Sequence, residues 1–432
     1  MIGGGRKSAA FFMSSKTLTI LPLEKIEAAH TSIKAVVNET PLMPNRTFSE
    51  CFEADVAFKR EDLQPVRSYK IRGAFNKIRQ LREEEKVNGV VCASAGNHAQ
   101  GVAYSCEKLK IKGTIFMPSP TPKQKVDQVK FFGKEWVEVV LVGDTFDDAY
   151  TQAKEFCIKA KSVFVHPFDD EDVMNGQGTV ALEILRAANQ PIDFLFLPIG
   201  GGGLAAGVSS VFRQLSPDTK LIGVEPAGAP AMLRSIEAGE HLTLGEIDKF
   251  VDGAAVQAVG QKTLEICKRQ LDKVVTVPEG KICSTMLELY NREAIVVEPA
   301  GALSVAALDQ FKAEIQGKNV VCVLSGSNND IARMEEIKER ALLYEGLKHY
   351  FIIRFPQRAG ALREFLVDVL GPNDDIVHFE YTKKTAREKG PALIGIEHQD
   401  KTDFEPLMTR MREKKMNVEY LNEQADLFNF IL

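Results

Sequence analysis

Long hydrophobic runs are missing from this sequence. The longest apolar stretches, such as DFLFLPIG at positions 193–200, are far shorter than the ~20 residues that a membrane-spanning helix needs. The first residues, MIGGGRKSAAFFMSSKT, lack the continuous apolar segment of a secretory signal peptide. With a formal net charge of -5 and 26% charged residues, the composition does not favour nucleic acid or an anionic membrane as a partner. We therefore expect a cytoplasmic protein that binds small molecules or further copies of itself, with no nucleic acid and no membrane contact.

Paired cysteines and metal-ligand spacings are missing as well. The seven cysteines are scattered, include no C-x-x-C pair, and in several cases lie within apolar runs that resemble strands. The seven histidines show no H-E-x-x-H spacing. The sequence therefore predicts reduced cysteines in the core and no metal site.

Short apolar runs alternate with helical patterns over most of the chain. The predicted strands are VVCAS, TIFMP, VEVVLVG, SVFVHPF, DFLFLPIG, KLIGVEP and NVVCVLSG. Between some of them lie the predicted helices TPKQKVDQVKFF, TFDDAYTQAKEFCIKA and GQGTVALEILRAA. Near-continuous apolar strands separated by helices are typical of a parallel sheet covered on both faces, with ligands outside the carboxyl ends of the strands. The sequence thus predicts an α/β fold whose functional turns directly follow strands.

The pattern changes near residue 345. The segments YFIIRF, ALREFLVDVL, PALIGIEH, DFEPLMTRMREKK and NVEYLN form a compact set of alternating strand and helix patterns. We predict a domain boundary here, with one unit over residues 1–345 and a second, α+β unit over residues 346–425.

The turn PIGGGGLAAG has four consecutive glycines between a buried strand and a helix that we expect to begin near Leu204. Glycines let backbone amides converge, and a helix amino terminus adds positive partial charge, so the turn is suited to bind a phosphate. A tight strand-to-helix turn is the alternative, but it needs only one or two glycines. Because neither G-K-[ST] nor the G-x-G-x-x-G order is present, a compact phosphate fits better than a dinucleotide.

The segment VRSYKIRGA places Lys70 next to an aromatic residue, with an arginine and a glycine shortly after it. A lysine in a partly apolar site can lose its proton and form a Schiff base with a carbonyl. Taken alone, an ordinary exposed lysine is the more common case. Together with the glycine turn and the polar turn SAGNHAQ, however, Lys70 indicates a binding site for pyridoxal phosphate.

Five motifs, SYKIRGA, SAGNHAQGVA, GGGGLAAG, VEPAGAL and SGSNND, in this order, resemble the biosynthetic threonine dehydratases of the tryptophan-synthase-β-like superfamily of pyridoxal phosphate enzymes. The resemblance covers nearly the whole chain, including a single C-terminal regulatory domain. It implies a two-lobed catalytic region of fold type II, with a small lobe over roughly residues 65–165, and an ACT-like regulatory domain. It also implies a homo-oligomer, with a tetramer as the expected form.

The resemblance also implies roles for individual residues. Lys70 would hold the cofactor through a Schiff base and, once released by the substrate amine, remove the α-proton. Asn97 would bind the ring hydroxyl, Ser325 would face the pyridine nitrogen, and Tyr69 would pack against the cofactor. The phosphate would be bound by the backbone amides of Gly200, Gly201, Gly202, Gly203 and Leu204. The substrate carboxylate would be bound by Ser94, Ala95, Gly96 and Asn97.

Three further residues keep two interpretations each. His98 either contacts the substrate or supports the turn through a hydrogen bond. Glu225 and Glu298 each either line the site or belong to a solvated turn before a proline, and Glu298 is the one expected near the cofactor. In serine racemase-like relatives, the acid that matches Glu225 helps to bind a divalent cation, but the matching downstream acid is replaced by Ala231 here. The resemblance therefore implies no metal.

By resemblance, the reaction is an α,β-elimination that converts L-threonine to 2-oxobutanoate and ammonia, and L-serine to pyruvate, as the first committed step of isoleucine biosynthesis. Isoleucine or valine would act as an effector at the C-terminal domain. A catabolic serine/threonine dehydratase, a serine racemase and a non-enzymatic amino-acid sensor remain alternatives. The presence of Lys70 argues against the sensor, and the C-terminal domain argues against the other two.

Overall fold

The computed structural model describes residues 19–381 and 389–423. The segment 1–17, for which the sequence predicts no signal peptide, lies outside the described residues, as do parts of the predicted unit 346–425. Among the helices of the described ranges, none has the combination of length and apolar character that crossing a bilayer requires.

Strands and helices alternate along most of the described chain. The strands are β1 (Leu42–Pro44), β2 (Asp55–Arg60), β3 (Val90–Ala93), β4 (Gly113–Met117), β5 (Val137–Leu141), β6 (Val163–Phe164), β7 (Phe194–Pro198), β8 (Lys220–Pro226), β9 (Lys273–Val277), β10 (Asn319–Leu324), β11 (Lys348–Pro356), β12 (Asp375–Tyr381), β13 (Lys389–Glu397) and β14 (Asn417–Tyr420). The helices are α1 (Leu23–Ile33), α2 (Arg46–Phe52), α3 (Lys70–Arg79), α4 (Glu83–Asn88), α5 (Asn97–Leu109), α6 (Lys123–Gly133), α7 (Phe146–Ala160), α8 (Glu171–Ala187), α9 (Gly203–Leu215), α10 (Ala231–Ala238), α11 (Gln261–Gln270), α12 (Glu279–Glu293), α13 (Pro299–Ala306), α14 (Lys312–Ile315), α15 (Met334–Glu345), α16 (Ala361–Asp368) and α17 (Phe404–Glu413).

The largest sheet has the strand order β1-β2-β10-β7-β8-β9 and is parallel except for β1, which pairs antiparallel with β2. Successive side chains of a strand point to opposite faces. In β7, Phe194 and Phe196 accordingly belong to one apolar cluster, and Leu195 and Leu197 belong to the other. The sheet is therefore buried on both faces, as its near-continuous apolar strands predict.

A second, fully parallel sheet has the order β5-β4-β3-β6. Its core includes Val90 and Cys92 of β3, Ile115 of β4 and Val102 of α5. Every strand that the sequence predicts in these two sheets is present, and the α/β class is confirmed. The turns after β3, β7 and β10 contain the motifs SAGNHAQ, GGGG and SGSNND, as expected, whereas the lysine motif does not directly follow a strand, because Lys70 begins α3 ten residues after the end of β2 at Arg60.

A third sheet, β12-β13-β11-β14, is antiparallel and packs on α16 and α17. Its core includes Phe351, Ile353 and Ile394 from the strands, with Phe365 and Leu407 from the two helices. The sequence predicts all of these elements except β12. The pattern in β12 is weak because its residues alternate between exposed and half-buried positions.

Candidate active site

Lys70 is the first residue of α3 and lies beside the carboxyl end of β10. The amide of Tyr69 donates a hydrogen bond to the carbonyl of Ser325 at 3.1 Å, and Ser68 forms an isolated antiparallel bridge with Gly326. The two motifs SYKIRGA and SGSNND are therefore joined by their backbones. This joining brings Lys70 and Ser325 to the same end of the large sheet.

The amine of Lys70 is held in a desolvated position. Its Nζ donates a hydrogen bond to the carbonyl oxygen of Pro167 at 3.0 Å and lies 5.4 Å from the centre of the Tyr69 ring. Burial lowers the pKa of Lys70 to about 8, and the negative charge of Glu298 opposes part of this shift. Part of the amine is therefore neutral near physiological pH, and a neutral amine can act as a nucleophile or a base.

The glycine turn after β7 has no room for side chains. A Cβ atom at Gly201 would lie 2.2 Å from the Phe168 ring, and Gly202 has a φ of +91°, which glycine adopts without strain. Gly202 is also the N-cap of α9 and provides no side-chain hydrogen bond to the first amides of that helix. Because the first amides of a helix have no intrahelical acceptor, they can bind an anion here.

The polar turn after β3 leads into α5. Gly96 is the N-cap of α5 without a side-chain cap, and a Cβ atom placed there would meet nothing within 4 Å. The amide of Gly96 donates to the hydroxyl of Ser94 at 3.2 Å. The first amides of α5 thus face open space, beside the half-buried Ala95, where a carboxylate can bind.

His98 makes a supporting contact in this turn. Its Nε2 is 2.9 Å from the carbonyl oxygen of Val165, and the ring is buried. Burial lowers the pKa of His98 to about 3, with a smaller contribution from the charge of Lys70. The imidazole is therefore neutral and links the turn after β3 to the end of β6, which agrees with the supporting interpretation of this residue.

Asn97 and Glu298 are hydrogen-bonded to each other. The amide nitrogen of Asn97 donates to Oε1 of Glu298 at 2.6 Å, and the carbonyl oxygen of Asn97 accepts from the amide nitrogen of Asn328 at 2.6 Å. Glu298 is buried, with 4% of its surface exposed, so it does not belong to a solvated turn. Burial raises the pKa of Glu298 to about 7, and the charge of Asp252 adds to this shift.

Ser325 lies at the carboxyl end of β10 and is buried. Its hydroxyl donates to the carbonyl oxygen of Ala300 at 3.2 Å. A neutral hydroxyl, rather than a carboxylate, is therefore the side chain that this strand end presents beside Lys70.

Glu225 has a structural role in this chain. Its carboxylate accepts hydrogen bonds from the amides of Met232 and Leu233, at 2.7 and 2.8 Å, at the amino terminus of α10. Burial raises the pKa of Glu225 to about 7. Among the described residues, no group of three or more His, Cys, Asp or Glu side chains is arranged to hold a metal ion.

The segment HPFDD, residues 166–170, also belongs to the site, although its sequence alone does not indicate this. The carbonyl of Pro167 holds the Lys70 amine, and the ring of Phe168 packs against the glycine turn. Asp169 Oδ1 accepts from the amides of Lys262 and Thr263, at 2.9 and 3.2 Å. The segment's position at the carboxyl end of the predicted strand SVFVHPF was the available signal. Asn328 was not predicted either, although it lies in SGSNND.

Pyridoxal phosphate, which the resemblance implies, fits these residues. At Gly201 and Gly202 any Cβ atom would occupy the space beside the turn. Because both residues are glycines, the backbone amides of the turn stay accessible to a phosphate. The desolvated amine of Lys70 suits a Schiff base, and Asn97 and Ser325 offer polar groups for a ring oxygen and a ring nitrogen.

Family models match both parts of the chain. The family model described as "Pyridoxal-phosphate dependent enzyme" matches residues 33–326, and the one described as "C-terminal regulatory domain of Threonine dehydratase" matches residues 339–431. The chain is 59% identical over 412 residues to the L-threonine dehydratase biosynthetic IlvA of Halalkalibacterium halodurans, covering 95% of this chain and 99% of that protein. It is 56% identical over 417 residues to the protein of the same name from Bacillus subtilis, covering 96% and 99%.

Solved structures are similar as well. The processed form of threonine deaminase isoform 2 from Solanum lycopersicum has a TM-score of 0.70 and 38% identity, covering 75% of this chain and 95% of that one. Serine racemase from Dictyostelium discoideum has a TM-score of 0.67 and 32% identity, covering 72% and 99%.

Proposed function

This chain belongs to the pyridoxal-phosphate dependent enzymes and, among them, to the biosynthetic threonine dehydratases, and we propose that it converts L-threonine to 2-oxobutanoate and ammonia. L-Serine would give pyruvate by the same α,β-elimination. The observation that supports this proposal most is the desolvated Lys70 amine, which the Pro167 carbonyl holds near the glycine turn and Ser325. The catalytic region is the two-lobed fold type II, and the regulatory domain follows it.

The cofactor is pyridoxal phosphate. When bound, it withdraws the negative charge that develops on the substrate α-carbon. We propose that the residues that hold it are Lys70, Tyr69, Asn97, Gly200, Gly201, Gly202, Gly203, Leu204, Glu298 and Ser325. Those at the substrate are Ser94, Ala95, Gly96 and Asn97, with His98 as a support of their turn.

Lys70 is the residue that removes the α-proton. A pKa of about 8 leaves part of the amine neutral at physiological pH and makes its ammonium form acidic enough to return the proton later. The first amides of α5 and the Ser94 hydroxyl bind the substrate carboxylate and orient the α-carbon. These two elements face each other because α3 and α5 pack together, with Gly101 of α5 close to the backbone of Lys70.

Racemisation needs a proton donor on the face of the substrate opposite Lys70. In serine racemase-like relatives a serine stands at the position of Ala95, whose methyl group has no proton to give. We therefore propose elimination rather than inversion, although the fold is shared with a serine racemase. A purely sensory role is disfavoured because the lysine is present and its amine is desolvated.

We propose that residues 1–345 form the catalytic unit, with a small lobe over roughly 65–165, and that residues 346–425 form the ACT-like regulatory domain. The turn between β11 and α16 lines a cavity of about 290 Å³ with Phe355, Leu362 and Tyr381 among its walls. Gly360 is the N-cap of α16 and adds no side-chain cap, so amides there can bind a carboxylate.

Isoleucine and valine suit this cavity because each of these amino acids combines a carboxylate with a branched aliphatic group. Binding would change the catalytic activity only through a difference in affinity between two states of the protein. The protein is proposed to be cytoplasmic and to act as a homotetramer in isoleucine biosynthesis.

The test is an assay of the full chain with L-threonine, following 2-oxobutanoate, with and without isoleucine or valine. Lys70→Ala should abolish turnover and the visible absorbance of the bound cofactor, whereas Lys123→Ala, at an exposed lysine, should change neither. Turnover by Lys70→Ala without added amine would refute the role of Lys70. A wild-type chain that binds the cofactor but does not turn over threonine would refute the proposed reaction.

A further inference from the structure

Asn328 has an amide group whose orientation is determined by its neighbours. Its Nδ2 atom lies 2.9 Å from the carbonyl oxygen of Val66 and 2.6 Å from the Oδ1 atom of Asn97. A backbone carbonyl can only accept a hydrogen bond. The atom of Asn328 that faces Val66 must therefore be the nitrogen, and the same nitrogen donates to Asn97.

The orientation of Asn328 determines that of Asn97. Because Asn328 donates, the atom of Asn97 that faces it is the carbonyl oxygen, and the nitrogen of Asn97 then points to Glu298 at 2.6 Å. A carboxamide nitrogen has two hydrogens. One of them is on Glu298, so the other is available to a ligand, and the Asn97 nitrogen can serve as a donor beside Glu298.

Glu298 alone would not impose this orientation. Burial raises its pKa to about 7, so near neutral pH its carboxyl group can be protonated and donate, or ionised and accept. A protonated carboxyl would accept either orientation of Asn97. Asn328 does not titrate and remains a donor at every pH. It is therefore the residue that determines the orientation of the Asn97 carboxamide.

Resting on the proposed function, we propose that Asn328 is a positioning residue that keeps the carboxamide nitrogen of Asn97 directed toward the bound cofactor. A donor at this place stabilises negative charge on the ring oxygen of pyridoxal phosphate. Asn328 itself acts through Asn97.

The test uses apoenzyme variants titrated with pyridoxal phosphate, with affinity and absorbance as readouts. Asn328→Ala removes the donor, and Asn328→Asp replaces the nitrogen with an oxygen that faces two carbonyl oxygens. We expect the dissociation constant to rise about 3- to 10-fold, the usual effect of one lost hydrogen bond. The fraction of cofactor that absorbs in the visible range, in which the ring oxygen is deprotonated, should fall.

Asn88→Asp is the matched control. It adds the same charge at an exposed asparagine at the end of α4, outside the site. It should leave both readouts unchanged. Thermal unfolding of each apoenzyme separates a change in positioning from a loss of fold.

A double-mutant cycle decides whether Asn328 acts through Asn97. In an Asn97→Ala background, Asn328→Ala should have no further effect on the affinity or the absorbance. An undiminished effect in that background would overturn the proposal, as would unchanged readouts in both Asn328 variants. Since neither readout needs threonine turnover, failure of the proposed reaction remains distinguishable from failure of this inference.

Discussion

The pKa of Lys70 can be tested by the pH dependence of cofactor capture by the apoenzyme. Burial lowers this pKa to about 8 from an ordinary value of 10.5. At pH 7.5 the neutral fraction of the amine would be ~24%, against ~0.1% for an ordinary lysine, a ~240-fold difference. Since only the neutral amine attacks the aldehyde, the capture rate should rise with pH and level off above pH 8.

The assay mixes apoenzyme with pyridoxal phosphate between pH 6 and 10 and follows the visible absorbance. The same reaction is run with a model amine of known pKa. Dividing the enzyme rate by the model rate removes the effect of the cofactor's own titration. A capture rate that keeps rising about tenfold per pH unit up to pH 10 would refute the desolvation of Lys70.

A Glu298→Gln variant tests the electrostatic part of the argument. The negative charge of Glu298 raises the pKa of Lys70, so its removal should move the midpoint of capture to lower pH. Glutamine can still accept the hydrogen bond from Asn97 through its carbonyl oxygen. The exposed Glu24→Gln is the control and should leave the midpoint unchanged, and an upward shift in Glu298→Gln would contradict the assigned sign.

Three further predictions concern stability, reaction outcome and regulation. Arg72→Ala should destabilise the apoenzyme by ~3–5 kcal/mol in urea unfolding, because two buried carboxylates, Glu61 and Glu183, would lose their paired guanidinium contacts and share the Lys59 ammonium; a loss below ~1 kcal/mol would contradict this. With L-serine as substrate, chiral analysis should detect pyruvate and negligible D-serine, because Ala95 provides no proton; comparable rates of the two would contradict it. Removal of residues 346–432, part of which lies outside the described residues, should leave an active enzyme that no longer responds to isoleucine or valine; a folded, active, truncated enzyme with the full-length response would place the effector site elsewhere.

The sequence predicts the backbone of the site well because the relevant signals are local. A run of glycines restricts a turn, and continuous apolar strands such as β7 and β10 indicate burial on both faces. The α/β class, the strands of both parallel sheets that the sequence predicts, and the pyridoxal phosphate cofactor are therefore confirmed. The individual roles of the site residues remain predictions.

The sequence does not predict β2, because its segment DVAFKR combines apolar and charged residues without a clear strand pattern. Lys59 in this strand is fully buried. Its Nζ donates to Glu183 and to the carbonyl of Thr40, both at 2.5 Å. Partners that lie far away in the sequence make this burial possible, and no pattern within the strand records them.

The sequence likewise does not show which polar groups surround Lys70. Pro167, Glu298 and Asn328 come from three separate segments, and only packing brings them to α3 and α5. A residue type can indicate that an amine is able to form a Schiff base, but the pKa of the amine depends on which atoms exclude water from it.

Lys70 and Arg72 belong to one short motif, in which Lys70 provides the amine of the site and Arg72 fixes the orientation of the helix. Residues two apart on a helix are separated by ~200° about its axis, so they point to opposite sides. Lys70 points to the Pro167 carbonyl, and Arg72 forms paired hydrogen bonds of 2.6–2.8 Å with Glu61 and Glu183. Rotating α3 about its axis would separate these buried charges, which is strongly unfavourable. The planar guanidinium therefore holds the helix in the orientation that directs the Lys70 amine into the site, and a lysine at position 72 could not make the same two paired contacts.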